Sequence, residues 1–324
     1  MLQIGLDAGG TSTRATVVTA DGRCVGYAKG SGGNPISSGK ERALASITTT
    51  IDRALEQAES SVHDVDVIVA AMAGSNADDR QGWLLEALAA RGFSGRLGID
   101  SDLLATYFSG AFSSFGYAIV SGTGAAVIRV ENGQLAATSD GLGWLLGDAG
   151  SGFWIGHQVT LAALAHVDGR GPATALTPRL MDELGVAPGG TRSNGRPAEL
   201  PRMIGALYAM RPVELAQFAP LAFAESEDAV ARSILDQAGT LLAHSVDAVH
   251  TQPGPLVIGG SVLAQPGRLT TTFHDELAAR GITPEISPVA DGAVGSALLA
   301  LREAGTNITG DLYHSVTDSL ARLR

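Results

Sequence analysis

Residues 1–29 read MLQIGLDAGGTSTRATVVTADGRCVGYAK, and residues 117–138 read YAIVSGTGAAVIRVENGQLAAT. In the first stretch Leu2, Ile4 and Leu6 alternate onto one face of a strand running from Met1 to Asp7. Gly9-Gly10-Thr11 turns the chain into a second strand, Thr13 to Thr19, and Asp21-Gly22 into a third, Cys24 to Lys29. The second stretch repeats the design. Tyr117 to Ser121 is a strand, Gly122-Thr123-Gly124 a turn, Ala125 to Val130 a strand, Asn132-Gly133 a hairpin turn and Gln134 to Thr138 a third strand. From Gly10 to Gly22 is 12 positions and from Gly122 to Gly133 is 11, so two β-meanders of matched spacing point to a duplicated fold.

Between the meanders the pattern is α/β. Ser38 and Glu41 form a capping box for a helix that carries Ala43, Ile47, Ile51, Ala54, Leu55 and Ala58 on one face. Val67 to Ala73 is a continuous apolar run of strand length, as a strand buried on both faces requires. Asp78 to Arg91 reads as helix, Arg96 to Asp100 as strand and Leu103 to Phe112 as helix. From Ser151 to His250 the chain is mainly helical, with later strands at Leu256 to Ile258 and near Ile286. Pro188 to Pro201, rich in glycine and proline, reads as a mobile loop or insertion.

Composition excludes several classes. The 324 residues suit two domains, and 45% apolar with 17% charged residues is ordinary for a soluble globular protein. A net charge of −11 without a basic stripe argues against nucleic-acid binding. A lone cysteine, Cys24, cannot build a disulfide framework or a four-cysteine cluster within one chain. No leader pattern and no apolar run of membrane-spanning length is present, so the expected location is cytoplasmic, with no membrane partner.

Asp7-Ala8-Gly9-Gly10-Thr11 places a carboxylate at a strand end, then two glycines that let backbone N–H groups approach an anion, then a hydroxyl. That is a phosphate cradle with an acid placed to hold Mg²⁺ through water; the alternative is an ordinary tight hairpin. Ser121-Gly122-Thr123-Gly124 stands at the equivalent turn, and Leu256-Val257-Ile258-Gly259-Gly260-Ser261 repeats the strand-to-glycine design.

These three segments, in this order, resemble the phosphate-1, phosphate-2 and adenosine motifs of the actin/hexokinase superfamily. GLGWLLGDAGSGFWIG, Gly141 to Gly156, is similar to the GGWG-x-x-x-GDEGSAYWI signature of the BadF/BadG/BcrA/BcrD group, which contains N-acetylglucosamine kinase. Gly33-Asn34-Pro35, Ala73-Gly74-Ser75-Asn76 and Pro288-x-x-Asp291-Gly292-Ala293 resemble the same group. The likeness covers nearly the whole chain. It implies an α/β fold of duplicated actin-like ATPase (ribonuclease H-like) domains around a cleft, the second with extra helices. The expected division is 1–113 plus about 289–324 against 114–288.

The resemblance also implies ATP, Mg²⁺ and a small amino sugar as ligands, and a homodimer. It assigns the catalytic base to Asp102; Asp100 is the competitor, and a plain helix cap the alternative role for Asp102. It assigns the sugar to Asn34, Ser75, Asp102, Gly143, Trp144 and Asp148. Nucleotide falls to Gly9, Gly10, Thr11, Ser12, Gly122, Thr123, Gly124, Gly259, Gly260 and Ser261, and the metal to Asp7. Trp144 also reads as a core aromatic, and His157 as a structural histidine. Two departures stand out: Ser101 replaces the asparagine before the base, and Ala149 the acidic residue of GDEG. The acids Asp100, Asp102, Asp140 and Asp148 and the triplet Gln158-Val159-Thr160, which resembles actinobacterial glucosamine kinases, favour glucosamine as acceptor, with N-acetylglucosamine second. A dehydratase-activator ATPase lacks its cluster cysteines here. A sugar-sensing regulator would need a DNA-binding segment ahead of Asp7, and an actin-type filament long insertions; neither is recognisable.

Overall fold

β-branched and aliphatic residues alternating between glycine turns form two sheets of the same plan. In the first, β1 (Leu2–Ala8), β2 (Ser12–Thr19) and β3 (Cys24–Ser31) make an antiparallel meander. β4 (Val65–Met72) and β5 (Arg96–Asp100) join on the other side of β1 in parallel, giving the order β3-β2-β1-β4-β5. The second sheet has β6 (Gly116–Ser121), β7 (Ala125–Glu131) and β8 (Gln134–Asp140) as its meander. A two-residue ribbon, β9 (Arg192–Ser193) and β10 (Arg196–Pro197), lies outside it. β11 (Leu256–Gly259) and β12 (Ile286–Pro288) are its parallel strands, and the order is β12-β11-β6-β7-β8. Each sheet is three antiparallel strands with two parallel strands added to the first, so the repeat read from glycine spacing is a structural one. The computed structural model describes residues 1–35, 39–72, 81–189, 192–193 and 195–324. Ser38, the expected cap, and Ser75 lie outside the described residues.

The helices follow the strands they cross between. α1 (Lys40–Gln57), α2 (Gln81–Ala89) and α3 (Asp102–Gly110) belong to the first half of the chain. α4 (Gly152–Asp168), α5 (Leu176–Glu183), α6 (Glu199–Tyr208), α7 (Ala219–Ala224), α8 (Ala229–Asp247) and α9 (Arg268–Ala279) belong to the second. α10 (Ala293–Glu303) and α11 (Gly310–Leu323) close the chain. α1 starts after Gly39 and buries Ala43, Ile47, Ile51, Ala54 and Leu55, the stripe expected from its 3.6-residue period. The Pro188 to Pro201 stretch holds the β9–β10 ribbon and the start of α6, because Gly195, at φ 77°, turns Arg196 back against Ser193.

One expectation needs correction. The alternation of Leu2, Ile4 and Leu6 implied a strand with one covered face, yet Gln3, Gly5 and Asp7 are buried as well. The second face is covered by α10, almost 300 residues away in sequence. A Cβ on Gly5 would stand 2.3 Å from the Ala297 nitrogen, so only glycine lets the helix backbone this close to β1. α1 and α2 pack on the first face with Ile4, Leu6, Ile47, Ile51, Ile68 and Leu84. α3 and α10 lie in a cluster shared by both sheets, in which Val67 and Val69 of β4 meet Leu104, Tyr107, Ile128, Val257 and Leu299.

Candidate active site

The site is built from the carboxyl ends of parallel strands, the usual position for ligands in α/β sheets. β1 ends at Asp7. Its cross-strand partner is Arg14, because the Gly9 turn sets the register Ala8 with Thr13 and Asp7 with Arg14. Arg14 Nη1 donates to Asp7 Oδ2 at 3.1 Å and Arg14 Nε to Asp291 Oδ2 at 3.0 Å. Asp291 is also held by Arg324 at 2.5 Å. The Gly292 N–H donates to Asp7 Oδ2 at 3.0 Å.

Asp7 therefore caps α10 from another element. α10 opens with glycine and has no cap of its own from that residue. Its first N–H groups go to Asp7, to Asp291 Oδ1 (from Ala293, 3.1 Å) and to Ser109 Oγ of α3 (from Gly295, 2.9 Å). Burial raises the Asp7 carboxyl above its ordinary value; Arg14 and the Gly292 N–H oppose this, and Asp291 adds to it.

The glycine turns sit at the same ends. Gly9 N–H donates to Ser12 O at 3.0 Å, while Gly9 O accepts from Gly33 and Asn34 N–H at 3.1 and 3.2 Å. Buried Asn34 is thus pinned by its backbone to the first turn. Gly10 and Thr11 are exposed. In the second turn Gly122 N–H donates to Gly124 O, and Gly122 O accepts from Gly152 N–H at 2.7 Å, which ties the turn to the start of α4. The third glycine segment packs on the second. A Cβ on Gly260, at φ 91°, would meet Ser121 O at 2.3 Å, and Val262 N–H donates to that oxygen at 2.9 Å. α3 joins the groups, since a Cβ on Gly292 would lie 3.3 Å from Ala105 and one on Gly259 3.0 Å from Thr106.

Asp102 is the first residue of α3. The cap is Ser101, whose Oγ accepts from Leu103 N–H at 3.2 Å, so Asp102 is not the cap residue. Its Oδ1 accepts from the same N–H at 3.0 Å. Burial and then the charge of Asp7 push its carboxyl up to about 6. Asp100 is engaged elsewhere: it accepts from Ser101 N–H at 2.8 Å and pairs with Arg302 at 3.4 Å.

The loop after β8 carries the tryptophan signature. Asp148 Oδ1 accepts from Ala125 N–H at 3.2 Å, beside the second glycine turn. Burial raises its carboxyl, a shift the Ala125 N–H opposes and Asp140 strengthens. Asp140 accepts from Asp148 and Ala149 N–H at 2.7 and 2.8 Å, so both its oxygens are taken by backbone. Trp144 is 40% exposed and meets Phe153 edge-on, with Leu145 at 72% and Leu146 at 77% exposure beside it. This excludes the reading of Trp144 as a core aromatic. His157 stacks on Phe153 within α4.

The family model for BadF/BadG/BcrA/BcrD ATPases matches residues 4–300. The chain belongs to the BadF/BadG/BcrA/BcrD ATPase family. It is 28% identical over 323 residues to an N-acetyl-D-glucosamine kinase of Dictyostelium discoideum, covering 92% of this chain and 97% of that protein. It is 29% identical over 179 residues to the glucosamine kinase GspK of Vibrio cholerae, covering 55% and 60% respectively. A Chromobacterium violaceum structure, provisionally named an N-acetylglucosamine kinase, superposes with a TM-score of 0.70 at 23% identity, covering 92% of this chain and 98% of that one. That likeness, with the paired sheet topology, shows the actin-like ATPase α/β fold.

A BadF/BadG/BcrA/BcrD ATPase implies ATP, and Mg²⁺ is usual with it. Among the described residues no three His, Cys, Asp or Glu side chains gather into a metal cage. One carboxylate at a glycine turn fits an ion held chiefly by phosphates and water, and Asp7 is the carboxylate at that position, where it would hold the ion. No helix among the described residues is long and apolar enough to cross a membrane. Sequence reasoning missed Arg14, which the hairpin register could have supplied, and Ser109, for which no local signal exists.

Proposed function

We propose that this chain transfers the γ-phosphoryl group of ATP to a hydroxyl of an amino sugar, with N-acetylglucosamine as the preferred acceptor. The observation that carries the reading is Asp102: a carboxyl raised to about 6 at the start of a helix, under the influence of Asp7, on the element that touches both glycine-lined groups. Such a base is ionised near neutral pH and strong enough to accept a hydroxyl proton. The sugar oxygen then attacks the γ-phosphorus and ADP departs; the protein's work is positioning and charge neutralisation. The turns Gly9 to Ser12 and Gly122 to Gly124 bring backbone close to the phosphates, with the Gly9 and Gly122 N–H groups bracing the turns themselves, and Gly259 to Ser261 accommodates the nucleoside. Bound with ATP, Mg²⁺ supplies further neutralisation beside Asp7. Asn34, Gly143, Trp144 and Asp148 are the sugar contacts; Ser75 belongs to the same proposal.

Two observations move the acceptor from glucosamine to N-acetylglucosamine. Of the four acids that favoured a cationic 2-amino group, Asp100 is paired with Arg302 and Asp140 accepts a backbone N–H at each oxygen. The exposed apolar side chains of Leu142, Trp144, Leu145 and Leu146, on the loop that leads to Asp148, would instead cover an acetamido methyl. Glucosamine stays as the second reading on the strength of Asp148 and the GspK likeness. We also take 1–113 with about 289–324 and 114–288 as lobes that close on the ligands, in a homodimer.

The test is ADP release with Mg-ATP alone, with N-acetylglucosamine and with glucosamine at matched concentrations. Stimulation mainly by the acetylated sugar is the expected outcome. Stimulation mainly by glucosamine reverses the acceptor, and fast sugar-independent release removes the kinase reading in favour of an activator-type ATPase.

A further inference from the structure

Asp140 ends β8 at φ 61°, and Asp148 stands at φ 56°, both in the left-handed region that non-glycine residues seldom occupy. Gly141 and Gly143 share that conformation at 71° and 82°. The segment between the two aspartates leaves the sheet and returns to it, and the Asp140 carboxylate closes its base. Oδ1 accepts from Asp148 N–H at 2.7 Å and Oδ2 from Ala149 N–H at 2.8 Å. A Cβ on Gly147 would stand 2.2 Å from Asp140 Oδ1, so glycine there makes room for the carboxylate. Inside the segment Gly147 N–H donates to Gly143 O at 2.8 Å. On the far side Asp148 Oδ1 is fixed by Ala125 N–H.

We propose that Asp140 is a positioning residue for sugar recognition: its two charge-assisted bonds hold Asp148 in its left-handed backbone conformation and so aim the Asp148 carboxylate. The proposal rests on the reading of Asp148 as a sugar contact. Ala149 is part of it. Where the family signature carries an acidic residue after the aspartate, this chain has alanine, and the residue's backbone N–H is gripped by the Asp140 carboxylate from across the loop. Both Asp140 oxygens accept from the backbone of the Asp148–Ala149 segment, so the role assigned to it is positioning and not direct contact.

The experiment compares Asp140→Ala, Asp140→Asn and Asp148→Ala with the parent in steady-state kinetics, with sugar binding followed by calorimetry. Losing two charge-assisted bonds in Asp140→Ala is expected to weaken sugar binding and raise the sugar KM by about tenfold or more, with the ATP KM changed less than about twofold. Asp140→Asn, which keeps the shape and one acceptor oxygen, is expected to recover part of that loss. An unchanged sugar KM in Asp140→Ala, while Asp148→Ala raises it, overturns the positioning role and leaves the Asp148 reading intact. An unchanged sugar KM in Asp148→Ala overturns both. Equal rises in the sugar and ATP KM values of Asp140→Ala show general collapse of the region and also overturn it.

Discussion

At Asp102, burial and a neighbouring acid carry a carboxyl from its ordinary 3.8 to about 6, and that shift has two consequences of opposite use. For catalysis, the ionised form is the base, so kcat/KM is expected to fall as pH drops below about 6. Asp102→Asn is expected to lower turnover by about 10² to 10⁴ with sugar and ADP affinities nearly unchanged. Near-parental turnover in this variant would transfer the base role elsewhere. For stability the sign reverses. A carboxyl raised in the fold resists ionisation there, so the folded state carries no penalty below pH 3.8, acquires one as pH rises through about 6 and keeps it above. The difference in pKa corresponds to a ceiling of about 3 kcal/mol. Thermal denaturation of the ligand-free protein should therefore show the Tm of Asp102→Asn gaining on the parent between pH 4 and pH 7. A gap that is flat with pH would contradict the burial of this charge.

Among the elements, the glycine turns were legible and their supports were not. Gly9-Gly10 and Gly122-Thr123-Gly124 announce themselves as turns because they interrupt alternating strand residues, a local pattern. Gly122 provides a clean test. Its φ is not in the left-handed region and a Cβ there meets nothing within 4 Å, so the fold accommodates a larger residue. Gly122→Val is expected to leave the Tm unchanged while lowering ADP affinity at least about tenfold, by standing where a phosphate would approach. Calorimetric titration with ADP reads this directly, and parental affinity would take Gly122 out of the cradle. The start of α10 was not legible. Its N–H groups are satisfied by Asp7, Asp291 and Ser109, and no residue pattern near Gly292 says that β1 and α3 will supply two of the three.

For the molecule as a whole, α3 and α10 form the packing that both sheets share. Gly295 of α10 lies on Ala105 of α3 so closely that a Cβ would stand 1.8 Å from the Ala105 carbonyl oxygen. Gly295→Ala must push the two helices apart, with an expected destabilisation of about 1–3 kcal/mol by urea denaturation. Because Asp102 starts α3, turnover should fall as well. A variant of parental stability would show that the helices are less tightly apposed than this. By itself, the sequence determined the two meanders, the glycine turns, the helical stripes and the family, since alternation, turn chemistry and the 3.6-residue period act over a few neighbours. Only the tertiary structure decided what each carboxylate does. Asp7 joins Arg14 and the α10 N-terminus, Asp100 goes to Arg302, Asp140 to its own loop, and Asp102 is left half-buried with its pKa raised. The sequence offered each a role but none of its partners, because charge partners and burial come from segments up to 285 residues apart that meet only when both sheets close on α3 and α10.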